Sequence, residues 1–204
     1  MLNSPTSYVV IQNVLTPEEC QDIIDYGLEH GSNVEGKIGG SMDKEEDKLT
    51  LDKKVRDTNL YFFSHQETYQ KIMPNLSDVN RDSGWQFNLS QIEPLQLSIY
   101  NKDAHYDWHI DSRPFPYSDN HGPFSGMVRK LSFSIMLNNE DEYEGGDFEI
   151  EDQLPGSETR SHKIKDLNHG AILVFPSYTP HKVHPVTKGK RYSLVGWVCG
   201  PAWR

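Results

Sequence analysis

The chain has 204 residues, with 20 Lys and Arg against 30 Asp and Glu, and a formal net charge of −10. This length favours one domain with a substantial core. The acidic balance argues against nucleic acid as the main partner, because phosphate binding relies on a basic surface.

Membrane and disulfide classes are also disfavoured. The longest apolar run, residues 171–175, is far shorter than a membrane span, and the first residues lack the basic and apolar regions of a signal peptide. Cys20 and Cys199 are too few for a disulfide framework. We therefore expect a cytoplasmic protein that binds neither nucleic acid nor a membrane.

The clearest local signal in the first half is the start of a helix. Thr16 can cap the helix, Pro17 suits its first position, and Glu19 completes a capping box. Apolar residues then recur at helical spacing until Gly31, a typical stop. The other predictions for this half are a strand over 8–14, a charged solvated loop over 35–54, a helix over 66–73 ended by Pro74, and a short helix over 77–81.

From about residue 85 onward, short apolar runs bounded by turn residues predict strands. These strands are 85–89, 95–101, 106–111, 131–137, 147–151, 170–175 and 192–199. Strands without intervening helices favour an antiparallel sandwich or barrel, so the predicted fold class is α+β, mainly β. Residues 95–100 and 131–137 alternate apolar with polar or small side chains, which indicates either a wet interior cavity or a solvent-exposed face.

Two His-x-Asp pairs lie close together around the predicted strand 106–111. Residues i and i+2 of a strand point to the same side, so either pair can present one nitrogen and one oxygen to a metal ion. The pairs are His105 with Asp107 and His109 with Asp111, and strand parity does not decide between them.

Two downstream histidines, His181 and His184, follow a strand that reads as buried. Two histidines and one carboxylate, with coordination positions left open, form the facial triad of non-haem Fe(II) oxygenases. Arg191 lies ten residues after His181, and its guanidinium suits bidentate capture of a carboxylate. By itself, Arg191 would be read as a surface residue in a basic turn.

Taken together, the order and spacing of these residues resemble those of the 2-oxoglutarate/Fe(II)-dependent dioxygenases. Within that family, the pattern resembles the prolyl 4-hydroxylase-like branch. The resemblance covers about residues 95–200. The stretches that carry it are Tyr100 nine residues before His109, Tyr106-x-x-His109-x-Asp111, Arg129-Lys130-Leu131-Ser132, Leu137-Asn138, Glu144-Gly145-Gly146-Asp147-Phe148, Phe175-Pro176-Ser177, and the run from Pro185 to Ser193 with Arg191.

The resemblance implies a double-stranded β-helix, or jelly-roll, core braced by N-terminal helices. It implies one domain over 1–204, with a helical support region over 1–94 and the jelly-roll core over 95–204. The family pattern selects His109 and Asp111 over His105 and Asp107, and the spacing to Arg191 selects His181 over His184.

The resemblance also implies a role for each site residue. His109, Asp111 and His181 would bind Fe(II). Arg191, Ser193 and Tyr100 would hold 2-oxoglutarate. Tyr106, Arg129 and Trp197 would line the substrate side, and no catalytic residue is expected beyond the metal centre. On strand 131–137, where relatives carry a Tyr or Thr hydroxyl toward the cosubstrate, this chain offers Ser132, Ser134 and Met136.

The implied reaction is hydroxylation of a C–H bond, with a prolyl residue of a protein or peptide as the expected target. Fe(II), 2-oxoglutarate and O2 are the expected cofactors and cosubstrates, with ascorbate as a candidate reductant and succinate and CO2 as co-products. The alternatives are a hydroxylase of another residue or of a small metabolite, a metal-binding module without oxygenase activity, and a zinc hydrolase, which would not need Arg191 and Ser193. Residues 112–128, rich in Pro, Gly and aromatic residues, are predicted to form a lid over a peptide.

Overall fold

The computed structural model describes residues 6–35, 58–152 and 160–203. The helices are α1 Pro17–His30 and α2 Gln66–Asp82, with 3-10 turns at Gly122–Phe124 and Glu140–Glu142. The strands are β1 Val9–Ile11, β2 Ser32–Glu35, β3 Asn59–Phe63, β4 Gln91–Ile92, β5 Leu95–Tyr100, β6 Tyr106–His109, β7 Met127–Met136, β8 Tyr143–Gly145, β9 Phe148–Asp152, β10 Arg160–Lys163, β11 Ile172–Pro176, β12 His181–Val183, β13 Val186–Gly189 and β14 Arg191–Pro201. The predicted loop over 35–54 lies outside the described residues, apart from the end of β2.

Helix α1 begins and ends where the sequence predicts. Glu19 N donates to Thr16 Oγ1 at 3.2 Å, and Thr16 N donates to Glu19 Oε2 at 2.8 Å, which completes the capping box. Gly31 N donates back to Gly27 O at 3.0 Å at the other end. The helix buries one side, with Gly27 so close to the ring of Phe63 that a Cβ at Gly27 would lie 2.7 Å from it.

Helix α2 corrects the prediction that Pro74 ends a helix, because the two predicted helices are one. A proline inside a helix removes a backbone hydrogen bond and costs about 3 kcal/mol. Pro74 is exposed, whereas the other side of α2 buries aliphatic side chains, namely Ile72, Leu76 and Val79. Burial of each side chain of this size contributes about 1.5–3 kcal/mol. The three contributions together outweigh the cost of the proline.

The larger sheet has eight strands in the order β1-β11-β7-β14-β5-β3-β2, with β4 paired to β14. One of its faces packs on the helices: Leu131, Phe133 and Ile135 of β7 belong to the main core together with the buried side of α1. The opposite face carries Ser132 and Ser134, which are also buried. The alternation along β7 therefore reflects an interior face and not a solvent-exposed one.

The smaller sheet covers that interior face. Its four strands run in the order β10-β9-β12-β6, and a two-stranded sheet pairs β13 with β8. Phe148 and Ile150 of β9 pack with Leu173 and Phe175 of β11 in a second core between the sheets. Two antiparallel sheets packed face to face, with helices on the outer side of the larger one, make the predicted jelly-roll architecture.

The segment 85–89 is not a strand, contrary to the prediction. Gly84 and Gln86 have φ values of +83° and +49°, which an extended chain does not tolerate. The Asn80 side chain holds the segment instead, accepting from Phe87 N and donating to Phe87 O, each at 2.9 Å.

The first 94 residues contribute strands as well as helices. β1 pairs with β11, and β3 pairs with β5, so both join strands from the second half of the chain in one sheet. The division at residue 94 into a support region and a core stays a prediction. None of the helices in the described part of the chain is long and apolar enough to cross a membrane.

Candidate metal centre and cosubstrate pocket

Two strands of the smaller sheet bring the predicted metal ligands together. β12 pairs with β6 so that His181 lies directly opposite His109. Asp111 lies two residues beyond His109, where its backbone N–H donates to Ser177 O at 2.9 Å. His109 Nε2 is 3.7 Å from Asp111 Oδ1, and His181 Nε2 is 3.6 Å from Asp111 Oδ2. One ligand atom from each residue lies within 4.8 Å of the others, a spacing that a single metal ion can bridge.

Backbone carbonyls fix the orientation of both imidazoles. His109 Nδ1 is 2.8 Å from Asp107 O, and His181 Nδ1 is 2.9 Å from Thr179 O. A carbonyl only accepts hydrogen bonds, so each Nδ1 carries the proton and donates it. The unprotonated Nε2 atoms then face the Asp111 carboxylate, as metal ligands require.

Neighbouring groups keep Asp111 ionised. Burial raises the pKa of its carboxyl, but the charges of His181 and His109, when these are protonated, and of Arg129 outweigh burial and lower the pKa below its usual value. Ser132 also hydrogen-bonds the carboxylate, and its Oγ lies 3.0 Å from Ser177 Oγ. The carboxylate can therefore bind a cation at neutral pH without first losing a proton.

Aromatic rings pack around the two histidines. The Tyr106 ring stacks on the His109 ring with centroids 3.5 Å apart. Phe148 stacks against His181 at 5.3 Å, and Phe175 contacts the same imidazole edge-on at 4.6 Å. These rings restrict both imidazoles to the orientation that the backbone carbonyls set.

The competing residues lie outside this cluster. His105 Nδ1 is 3.2 Å from Asp103 O, and the exposed Asp107 carboxylate accepts from Trp108 N at 2.8 Å. His184 Nε2 pairs with Glu149 Oε2 at 2.6 Å. Of the residues that the structure describes, only His109, Asp111 and His181 form a group that could hold a metal ion.

Arg191 is the largest fully buried side chain in the described ranges. It lies on β14 opposite Tyr100 of β5, with its guanidinium carbon 5.2 Å from the Tyr100 ring centroid. Nη1 donates to Ser193 Oγ at 3.2 Å, and Nη2 lies 3.2 Å from Met136 Sδ, a weak acceptor. No carboxylate of the described residues forms an ion pair with it.

These residues fit the groups that the sequence predicts. A buried cation without a counter-charge costs several kcal/mol, so the Arg191 pocket suits a carboxylate supplied from outside. Two imidazoles and one carboxylate hold Fe(II) and leave coordination positions open. Of the three side chains considered on strand 131–137, Met136 reaches Arg191, whereas Ser132 reaches Asp111.

Two of the residues expected on the substrate side, Trp197 and Arg129, lie together. Trp197 is buried opposite Ser132, and its indole Nε1 has no hydrogen-bond partner among the described residues. The Arg129 guanidinium lies 3.7 Å over the Trp197 ring and pairs with Glu93, a residue outside the predicted site. The only signal for Glu93 in the sequence is a carboxylate placed just before a fully buried strand.

A jelly roll that holds two histidines and one aspartate within reach of one ion has the architecture of a non-haem iron oxygenase. A sequence model of the 2OG-Fe(II) oxygenase superfamily matches residues 95–199, and the chain belongs to that superfamily.

The curated relatives carry the name hydroxylase. A PKHD-type hydroxylase from Synechococcus sp. (strain CC9605) is 35% identical over 109 residues, which are 53% of this chain and 42% of that protein. The chain therefore matches less than half the length of the curated relatives it resembles.

Solved structures share the fold at low sequence identity. A viral collagen prolyl hydroxylase from Paramecium Bursaria Chlorella virus-1, in its 2OG complex, has a TM-score of 0.63 at 18% identity, covering 95% of this chain and 96% of that one. A prolyl hydroxylase from Trichoplax adhaerens, in complex with a hypoxia inducible factor oxygen degradation domain peptide fragment, has a TM-score of 0.62 at 17% identity, covering 95% and 83%. The predicted jelly-roll fold is confirmed.

Proposed function

We propose that this chain is an Fe(II)- and 2-oxoglutarate-dependent hydroxylase that acts on a prolyl residue of a protein or peptide. The observation that carries the proposal is the His109–Asp111–His181 cluster in the same inter-sheet interior as Arg191, a buried cation that has no counter-charge among the described residues. A metal-binding module without oxygenase activity has no use for a second, anion-binding pocket of this kind. A zinc hydrolase has no use for it either.

In this proposal each group has one task. His109, Asp111 and His181 would hold the iron. With 2-oxoglutarate and O2, the bound iron would supply the chemistry that oxidises a C–H bond and releases succinate and CO2. Arg191 and Ser193 bind the distal carboxylate of 2-oxoglutarate, and Tyr100 lines the same pocket. These side chains contribute to the reaction by orienting the cosubstrate.

The expected substrate lies on the side of Tyr106, Arg129 and Trp197. Prolyl residues are favoured by the resemblance of residues 95–200 to the prolyl 4-hydroxylase-like branch and by the prolyl hydroxylases among the structural neighbours. A peptide is favoured by the neighbour that was solved with a peptide fragment. Hydroxylation of another residue or of a small metabolite is the second candidate, because the same metal and cosubstrate residues serve any C–H bond placed beside them.

Succinate formation and product mass test the proposal directly. The full chain is incubated with Fe(II), ascorbate, 2-oxoglutarate and a library of proline-containing peptides, and products are searched by mass spectrometry for one added oxygen atom. Arg191→Lys keeps the positive charge but loses the bidentate fork, so it should raise the KM for 2-oxoglutarate more than tenfold. Absence of succinate from the wild-type protein under every condition would refute the oxygenase. Succinate formation together with hydroxylation of peptides at residues other than proline would support the second candidate.

We also propose that residues 1–204 form one domain, because β1, β2 and β3 complete the same sheet as β5, β7 and β14. Limited proteolysis should yield no stable fragment that begins near residue 95.

A further inference from the structure

A second cluster of buried polar groups lies beside the metal centre, around Glu93. Arg129 donates to its carboxylate from Nε at 2.8 Å and from Nη2 at 2.6 Å, a bidentate pair. The Tyr117 hydroxyl donates to the same carboxylate at 2.6 Å, and the Cys199 thiol donates at 3.2 Å. One carboxylate thus joins β7, the connection that precedes β7, and the distant strand β14.

A β-bulge turns Arg129 toward the site. Two consecutive residues of β14 pair with Leu131 and Arg129, so Lys130 is an extra residue in β7. Side chains alternate along a strand, and the extra residue moves Arg129 from the helix-facing side to the interior face. There its guanidinium covers the ring of Trp197. The position of Arg129 therefore depends on a local irregularity and on the carboxylate that holds it.

Residues 112–126, called here the loop segment, connect Asp111 to β7. Tyr117 is the buried residue of this segment. It has 9% of its surface exposed, whereas Phe115 has 77% exposed. Tyr117 N donates to Met127 O, and Gly126 N donates to Tyr117 O, each at 2.9 Å. The backbone of Tyr117 thus closes the base of the loop segment, and its hydroxyl joins the loop segment to Glu93, while Phe115 is exposed.

We propose that Glu93 and Tyr117 are positioning residues that couple the docking of the loop segment to the orientation of Arg129. The coupling depends on the Glu93 carboxylate, which both residues share. The effect of the coupling on catalysis rests on the proposed function. When Tyr117 leaves, water reaches Glu93 and weakens its pair with Arg129. When Arg129 is lost, a buried carboxylate without its cation becomes a poor anchor for Tyr117. A substrate that contacts the exposed end of the loop segment thereby stabilises Arg129 above Trp197.

Hydrogen–deuterium exchange on the full chain, loaded with Mn(II) and 2-oxoglutarate, tests the coupling. Tyr117→Phe removes one charge-assisted hydrogen bond and should raise amide exchange in residues 112–126 on the order of tenfold. Arg129→Gln should raise exchange in the same residues by a similar factor, although Arg129 lies outside the loop segment. Exchange in α1 and β5 should stay at the wild-type rate in both variants, which shows that they fold.

Tyr69→Phe is the matched control. The Tyr69 hydroxyl donates to the backbone carbonyl of Glu93 at 3.2 Å, so this variant loses a hydrogen bond to the same residue but not to its carboxylate. Exchange in residues 112–126 should stay within about twofold of wild type. The coupling is overturned if exchange in residues 112–126 rises in Tyr117→Phe but stays at the wild-type rate in Arg129→Gln. If Arg129→Gln raises exchange everywhere, Arg129→Lys replaces it. Lysine keeps the charge but loses the bidentate pair with Glu93, so exchange in residues 112–126 should still rise, and a wild-type rate there also overturns the coupling.

Steady-state kinetics separate this inference from the proposed function. Tyr117→Phe should raise the KM for the peptide substrate severalfold and leave the KM for 2-oxoglutarate within about twofold, whereas Tyr69→Phe should change neither. An unchanged peptide KM in Tyr117→Phe would refute the positioning role. A wild-type protein that forms no succinate but shows the coupled exchange would refute the proposed function alone.

Discussion

Gly146 and Arg191 approach each other so closely that a side chain at position 146 would collide with the arginine. A Cβ on Gly146 would lie 2.8 Å from Arg191 Cδ, a separation that real Cβ atoms essentially never show. Gly146 also has a φ of +68°, which favours glycine. Gly146, which lies between β8 and β9, therefore helps to set where the buried guanidinium can lie.

Gly146→Ala should weaken binding of 2-oxoglutarate at least about tenfold, because Arg191 must shift to make room and a displaced fork loses its bidentate geometry. Isothermal titration of the Mn(II)-loaded protein measures this. Gly122→Ala is the control: Gly122 also has a positive φ, +54°, but a Cβ there would meet no atom of the described residues within 4 Å. It shares the backbone strain without the collision, so its affinity should match wild type. Equal affinity in Gly146→Ala and wild type would contradict the argument.

His181 and His184 are a natural pair for testing the metal site. His181→Ala should lower the affinity for Mn(II) by about two orders of magnitude, because one of three protein ligands is lost. His184→Ala, three residues further on, loses only its contact with Glu149 and should bind Mn(II) like wild type. Titration monitored by electron paramagnetic resonance gives both affinities. Comparable losses in the two variants would show that His181 is not a ligand.

Ser132 supports the metal centre through Asp111. Ser132→Ala removes the hydroxyl that bonds the carboxylate, and partners of this kind are typically worth about 10–100-fold in metal affinity. Ser134→Ala is the matched control, because Ser134 lies two residues on, faces the same interior side and is also buried. The Mn(II) titration should therefore separate the two variants. A loss of similar size in Ser134→Ala would indicate a general loosening of β7 instead.

Several site residues could be predicted because their relationship is encoded by spacing along the chain. The separation of two residues between His109 and Asp111 predicted that both reach one metal ion, and the structure places His181 opposite His109. The predicted strand 106–111 ends earlier, at His109, and Asp111 lies just beyond it. The choice between the two His-x-Asp pairs needed the family pattern. The alternation along β7 predicted an inner and an outer face but did not say what covers the inner one.

Other features have no local signal in the sequence. The bulge at Lys130 reverses the side to which Arg129 points, and the alternation downstream of it gives no warning of this reversal. Glu93 and Tyr117 are 24 residues apart, and their contact depends on how the loop segment folds back. The local preference of Pro74 predicts the end of a helix, whereas the buried side of α2 keeps the helix continuous through Pro74. In each case tertiary packing outweighs a local rule.

Glu93 should make the stability of the protein depend on pH. Burial alone would raise the pKa of its carboxyl, but the charge and hydrogen bonds of Arg129, with Tyr117, lower it below the usual 4.5. A carboxyl with a lowered folded-state pKa stabilises the protein above the unfolded pKa, and this contribution is lost as pH falls through the folded value. Glu93→Gln should therefore cost about 3 kcal/mol at pH 7, because the largely covered guanidinium of Arg129 loses its counter-charge.

The difference in unfolding free energy between wild type and Glu93→Gln should shrink as the pH falls below about 4.5, because the carboxyl of the unfolded chain then binds protons that the folded carboxyl does not yet bind. The shrinking should end below the lowered pKa of the folded state, where the carboxyl is neutral in both states. Urea titrations at a series of pH values measure it. Glu29→Gln, which changes an exposed carboxyl, should show a difference near zero throughout. A Glu93→Gln difference that stays constant from neutral to acid pH would mean that the destabilisation comes from packing, and that the Glu93 charge does not hold Arg129 in place.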